Sequence, residues 1–177
     1  LNLSVRGGGE HSNYYISLGV LDYQGMVEHD DFTRYTGRIN LDYDITDFLK
    51  FGTSTTLGYT DVSSPGISLY TAIGFRPDYP IYNEDGSYYK EGNSYNPVAQ
   101  NDAKSYNDNY SILSTSFLEL NIWKGLKLKT TLSLNQNMSY SESYKPTYLT
   151  SDNKGYGTES TSRSFTTVFD NTLSWVG

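Results

Sequence analysis

Residues Phe32–Tyr43, FTRYTGRINLDY, and Phe48–Tyr59, FLKFGTSTTLGY, decide the fold. In the first run Tyr35, Ile39, Leu41 and Tyr43 occupy odd positions, and Arg34, Thr36, Arg38, Asn40 and Asp42 even ones. In the second, Leu49, Phe51, Leu57 and Tyr59 share a parity with Thr53 and Thr55, against Lys50, Gly52, Ser54, Thr56 and Gly58. Successive side chains of a strand point to opposite faces, so a period of two makes each run a strand with one apolar and one polar face. The link Asp44-Ile45-Thr46-Asp47 is short and polar, which joins the pair as a hairpin.

The same unit recurs on both sides. Upstream, Leu1–Arg6 alternates, Gly7–Ser12 reads as a turn whose glycines take positive φ, and Tyr14, Ile16, Leu18 and Val20 form the apolar face of a second strand. Downstream, Leu118, Leu120 and Ile122 alternate with Phe117, Glu119 and Asn121, and Trp123-Lys124-Gly125 makes a turn. Leu126, Leu128, Leu132, Leu134 and Met138 then oppose Lys127, Lys129, Thr131, Ser133, Asn135, Asn137 and Ser139, a run far longer than the usual strand of about 5 or 6 residues. Phe165, Phe169, Leu173 and Trp175 mark a last strand that stops at Gly177. About seven strands are expected, in an all-β fold.

The connections alternate in length. Those at Gly7–Ser12, Asp44–Asp47 and Trp123–Gly125 are short; those at Asp22–Asp31, about 60–109 and about 141–162 are long. In an up-and-down sheet alternate connections lie at one end, so all the short turns collect at one end and all the long loops at the other. That asymmetry is the pattern of an outer-membrane β-barrel. Tyr14, Tyr35, Tyr43, Tyr59, Trp123, Tyr140 and Trp175 near the strand ends fit rings placed at the headgroup level. Single-chain bacterial barrels use even numbers of strands, so seven strands, with strand-like sequence at both ends and no initiating methionine, are expected to be part of a larger barrel spanning 1–177 and beyond.

Composition agrees. Of 177 residues only 36% are hydrophobic, yet 15% are aromatic and 18 residues are tyrosine, a ring that tolerates a boundary between apolar and wet surroundings. The net charge of −7 argues against nucleic acid as a partner, and the absence of cysteine removes disulfides and thiolate chemistry. The competing class is a soluble or cell-surface carbohydrate-binding β-sandwich, which demands shorter strands and a second sheet packed on the apolar face.

The long loop at 60–109 holds four of the five prolines and is rich in aromatic rings. Its segment Ile67–Phe75 is expected as a short helix or an inward-folding piece. Tyr79, Tyr82, Tyr88 and Tyr89 are candidates for stacking on sugar rings, with Asp78, Asn83, Asp85 and Asn93 as hydrogen-bonding groups; the same rings would also serve to pack the loop or to face a partner. Asn83–Gly86 lacks the ligand spacing of a calcium loop and reads as a turn. His11 and His29 fall at opposite ends of the sheet, so no histidine metal centre is expected, no cofactor is called for, and no catalytic constellation is present. Arg34, Arg38, Asn40 and Asp42 on the polar face are the expected lumen residues.

The runs LSVRGGGE (3–10), NYYISLGVLDYQG (13–25), FTRYTGRINLDY (32–43) and FLKFG (48–52) resemble the SusC/RagA class of TonB-dependent outer-membrane transporters of Bacteroidetes. Arg76-Pro77 with YNEDG (82–86), NPVA (96–99) and GLKLK (125–129) extend the resemblance in order over most of the chain. The resemblance implies a large barrel with an internal plug, a SusD-like surface lipoprotein as partner, energy passed from the TonB complex, and an oligosaccharide or peptide substrate. It also implies that this chain covers a middle part of the barrel, without plug or TonB-contacting segment.

Overall fold

The computed structural model describes residues 1–67, 69–150 and 152–176. Seven long strands run in the order of the chain: β1 (Asn2–Gly8), β2 (Ser12–Gln24), β3 (Asp31–Thr46), β4 (Leu49–Pro65), and, after the long loop, β7 (Lys104–Trp123), β8 (Leu126–Lys145) and β9 (Tyr156–Trp175). They form one antiparallel sheet in the order β1-β2-β3-β4-β7-β8-β9. Within the loop lie helix α1 (Leu69–Gly74), a two-stranded ribbon of β5 (Lys90–Glu91) and β6 (Ser94–Tyr95), and helix α2 (Pro97–Gln100). The short helix expected within Ile67–Phe75 is therefore α1. No helix among the described residues is long and apolar enough to cross a membrane, which says nothing of a β-barrel.

The strands outrun their sequence-based bounds. β4 continues to Pro65 and β7 begins at Lys104, so the long loop is 66–103 and not 60–109; β8 reaches Lys145 and β9 starts at Tyr156, so the second long connection is 146–155 and not 141–162. The extra segments are polar on both faces and therefore carry no alternation. Gly177, where the last strand was expected to stop, lies outside the described residues. In the first turn Gly7 and Gly8 belong to β1, and positive φ is found at Gly86, Gly92, Gly125 and Gly155 instead. Gly125 turns the β7–β8 hairpin at φ 76, and a Cβ there would fall 2.0 Å from the Val176 carbonyl oxygen.

Register carries one apolar face across all seven strands. Leu3 pairs with Leu18, Val5 with Ile16 and Ile16 with Ile39; Tyr35 pairs with Tyr59, Tyr59 with Tyr110, and Leu57 with Ile112; Leu128 pairs with Leu173 and Leu132 with Phe169. The rings of Tyr35, Tyr59 and Tyr110 stack in a row at the long-loop end, with centroids 6.1 and 4.7 Å apart. Tyr14, Tyr43, Phe51, Trp123 and Trp175 gather toward the short-turn end of the same face. From Tyr35 to Tyr43 the strand covers about 27 Å at roughly 3.4 Å per residue. Where hydroxyls interrupt the apolar face they answer one another, Thr53 with Ser116 at 2.9 Å and Thr55 with Ser114 at 2.7 Å.

Among the described residues no second layer covers either face of the strands: each long strand packs against its sequential neighbours in the sheet. Phe169 and Leu173 are 63% and 64% exposed, and Ala99, in the loop, is the one buried hydrophobic residue named for the described chain. The accessible surface is 12604 Å², against about 8,700 Å² expected of a compact protein of 20.0 kDa. A two-sheet sandwich is thereby replaced by a single sheet whose apolar face has no protein against it.

The opposite face is polar but locally tight. A Cβ on Gly52 would lie 2.2 Å from the Phe117 ring, which covers that glycine and carries the Lys129 ammonium 4.3 Å above its own centroid. Gly52→Val is expected to lower the stability of the folded protein by about 1–3 kcal/mol through this overlap, and Phe117→Ala in the same chain to recover part of the loss, measured as the urea midpoint in detergent.

Candidate functional site

The loop 66–103 supplies most of the side chains singled out in the sequence, and the structure shows how it is held. Asn96 starts α2: its side-chain oxygen accepts from the Val98 amide at 2.9 Å and its amide nitrogen donates to the Pro80 carbonyl at 3.2 Å. It is 5% exposed, a buried polar residue kept because both ends of its amide are answered. Around it the rings pack in pairs. Tyr79 lies against Phe75 at 5.8 Å and Tyr89 at 5.1 Å; Tyr82 stacks on Tyr88 at 5.1 Å, and Tyr88 and Tyr95 both meet Tyr148 of the second loop.

Asp102 ties these loops together. Tyr88 donates its hydroxyl to the Asp102 carboxylate at 2.9 Å, and Tyr148 donates to the same oxygen. Donation to that carboxylate, with burial second, pushes the Tyr88 phenol up to about 12. Burial first, and then Asp102, raises Tyr148 as well. Neither Asp102 nor Tyr148 stood among the sequence candidates, because their partnership links positions 46 residues apart.

The candidates divide by what their polar atoms do. Asp78 accepts two bonds from the Arg76 guanidinium, at 3.0 and 2.6 Å, which hold its carboxyl below the usual range. Tyr79 donates to Glu91 at 2.6 Å and is raised by it. Asn83 and Asp85 build a turn with Ser87: Asn83 donates to the Ser87 hydroxyl at 2.9 Å, and Asp85 accepts from the Ser87 hydroxyl at 2.6 Å and amide at 2.9 Å, which lowers its carboxyl. Tyr89 packs on Tyr79 while its backbone bonds to Ile81 and Asn96. Tyr82 and Asn93 remain exposed, and Asn93 borders a cleft between the loop and the end of β8.

On the sheet, Arg34, Arg38, Asn40 and Asp42 share the polar face of β3. Arg34 donates to the Thr60 hydroxyl at 3.3 Å and lies over the Phe32 ring, and Asn40 accepts from the Ser54 hydroxyl at 2.8 Å. Among the described residues no three of His, Cys, Asp or Glu gather as metal ligands would.

Comparison with known proteins supplies the family. The chain is 32% identical over 152 residues to TonB-dependent receptor P39 of Formosa agariphila, an alignment covering 82% of this chain and 14% of that receptor. It is 31% identical over 102 residues to TonB-dependent receptor SusC of Bacteroides thetaiotaomicron, covering 52% of this chain and 10% of SusC. The chain belongs to the TonB-dependent receptors of the SusC/RagA class. Its sheet superposes on part of the RagAB peptide importer in the closed-closed state with a TM-score of 0.76 at 23% identity, covering 97% of this chain and 21% of that one. No protein-family model matches the sequence. The chain thus spans about a seventh or less of the length of these curated TonB-dependent receptors, matches part of a β-barrel transporter fold, and is an outer-membrane protein related to non-catalytic receptors.

Asp102→Ala in the receptor should return Tyr88 from about 12 toward the ordinary tyrosine value near 10. A phenol held protonated in the folded loop stabilises it fully below pH about 10, and that stabilisation is lost as pH rises through about 12. Ring-labelled tyrosine NMR across an alkaline titration reads the shift directly.

Proposed function

We propose that this chain is a sector of the transmembrane barrel of a TonB-dependent importer. Its apolar face meets outer-membrane lipid and its polar face, with Arg34, Arg38, Asn40 and Asp42, lines the lumen. The observation that carries this reading is the apolar face that runs across all seven strands of a single-layer sheet, with no second layer packed on it among the described residues. An exposed apolar area of this extent marks a membrane or protein contact, and its two rows of aromatic rings match the girdles of a barrel. Unpaired strand edges in hydrocarbon are too costly to persist, so β1 and β9 join further strands of the same barrel.

The short turns after β1, β3 and β7 then face the periplasm and the loops after β2, β4 and β8 the outside. Strands β7 to β9 rise beyond the Tyr35–Tyr59–Tyr110 row with polar residues on both faces, as segments standing in water would. The loops 66–103 and 146–155 form the outer mouth, where substrate and a SusD-like lipoprotein are met. A fold shared with a peptide importer supports peptide as cargo, oligosaccharide is the other cargo the family resemblance implies, and kinship with TonB-dependent receptors supports the TonB complex as the source of energy. Within the loop, Tyr82 and Asn93 present their side chains to a ligand, while Asp78, Tyr79, Asn83, Asp85, Tyr88 and Tyr89 shape the loop that offers them.

The chain has no cysteine, so single cysteines introduced in it report cleanly once any cysteine elsewhere in the receptor is replaced by serine. In the full-length receptor in bilayers, Ser133→Cys is expected to react with a water-soluble thiosulfonate and Leu132→Cys to resist it, while a membrane-permeant bimane attached at Leu132→Cys is quenched by brominated lipid. Equal labelling at the two positions would remove the membrane reading. Leu132→Arg should cost about 2–4 kcal/mol of folding stability at mid-bilayer depth.

A further inference from the structure

Where the loop 66–103 meets the connection after β8, the two enclose a cleft of about 590 Å³, within the range of small-ligand sites. Lys90, Asn93 and Tyr95 border it from the loop, and Lys145, Thr150 and Tyr156 from the other side. A smaller recess of about 290 Å³ adjoins it and shares Asn93, Tyr95 and Lys145. Lys145 and Tyr156 are directly paired across β8 and β9, on the polar face of the sheet, so the cleft opens above the face proposed as lumen.

Its two ammonium groups enter no ion pair. The ion pairs among the described residues are Lys50–Asp44, Arg76–Asp78 and Lys127–Glu119, and neither Lys90 nor Lys145 enters one. Lys90 instead holds its Nζ 5.0 Å from the centre of the Tyr95 ring. Two unpaired lysines against the one carboxylate of Asp152 give the recess a positive lining in a chain of net charge −7. On the same polar face Arg34 and Arg38 also enter no ion pair.

We propose that this mouth cleft recognises the carboxylate of an acidic saccharide. The lysines take the carboxylate as charge-assisted donors. Tyr156, 62% exposed, offers a ring face to a pyranose. Asn93 supplies a neutral donor and acceptor, Thr150 fixes the wall by donating to the Thr147 carbonyl at 2.7 Å and accepting from the Gly155 amide at 3.3 Å, and Asp152, the carboxylate in the lining, accepts from sugar hydroxyls while its backbone turn is fixed by a bond from the Lys154 amide at 3.3 Å. Leu149 is the one aliphatic side chain among the lining residues, so the cleft lacks the apolar wells that peptide side chains would fill. The proposal rests on the importer reading and narrows its cargo.

The test uses the full-length receptor purified in detergent, titrated calorimetrically at low salt with oligogalacturonate, oligoglucuronate and alginate oligomers. A carboxyl-reduced, neutral version of each and oligoglutamate serve as comparisons. At least one uronate series should bind roughly tenfold or more tighter than its neutral form, the gap a single charge-assisted contact supplies. Lys90→Gln and Lys145→Gln should each close most of that gap, with assembly checked by heat-modifiable migration. Binding of every uronate no tighter than its neutral form, indifference to both lysine variants, or preference for oligoglutamate would each overturn the proposal. The cysteine-labelling result is independent of it: a receptor that keeps the expected labelling but fails this titration retains the importer reading and loses the acidic cargo.

Discussion

Register is the constraint on which the rest of this structure depends. Because side chains alternate strictly, a slip of one residue between β3 and β4 would carry Arg38 into the row of Gly37 and set a guanidinium beside Leu57 and Ile112. Among the described residues nothing above or below the sheet holds that register, since no second layer packs on it. It is held within the sheet: by the hydrogen-bonded ladder, by the Tyr35–Tyr59–Tyr110 stack, by the Thr–Ser hydroxyl pairs, and by the fit of Phe117 over Gly52. These devices are lateral, from strand to strand, which suits a wall with different solvents on its two sides.

The same constraint explains what could be read from the sequence. Alternation is visible wherever the two faces meet different surroundings, and Phe32–Tyr43, Phe48–Tyr59 and Leu126–Tyr140 were legible for that reason. Lys104–Asn109, Ser141–Lys145 and Tyr156–Ser162 are equally regular strands, yet both of their faces carry polar residues and the period of two vanishes. Strand without contrast is indistinguishable from loop in a hydropathy pattern. The unreadable segments are therefore informative in retrospect, because they mark where the apolar band ends.

The mouth was less legible, for a different reason. Aromatic content identified the loop as structured, but the partners of each ring are settled by tertiary contact. Tyr88 and Tyr148 share Asp102 across the two loops, and nothing local to either position announces it. Lys90 and Lys145 were likewise ordinary in sequence; what distinguishes them is that their cleft contains both and that no ion pair claims either. Absence of a partner is a property of the folded chain alone.

The loop and the wall also differ in how they are stabilised. Asn96 and Ala99 give the loop a small buried centre of its own, and Asp102 fastens it to the 146–155 connection, so the mouth has an internal scaffold that the sheet lacks. A scaffold of this kind lets most of its tyrosines be consumed in packing while a few side chains, Tyr82, Asn93 and Tyr156 among them, stay turned outward. Because the fastening to Asp102 uses two neutral phenols on one carboxylate, it draws on neither Lys90 nor Lys145, and both stay outside any ion pair beside it. The groups that fasten the loop and the cations of the cleft are thereby separate residues.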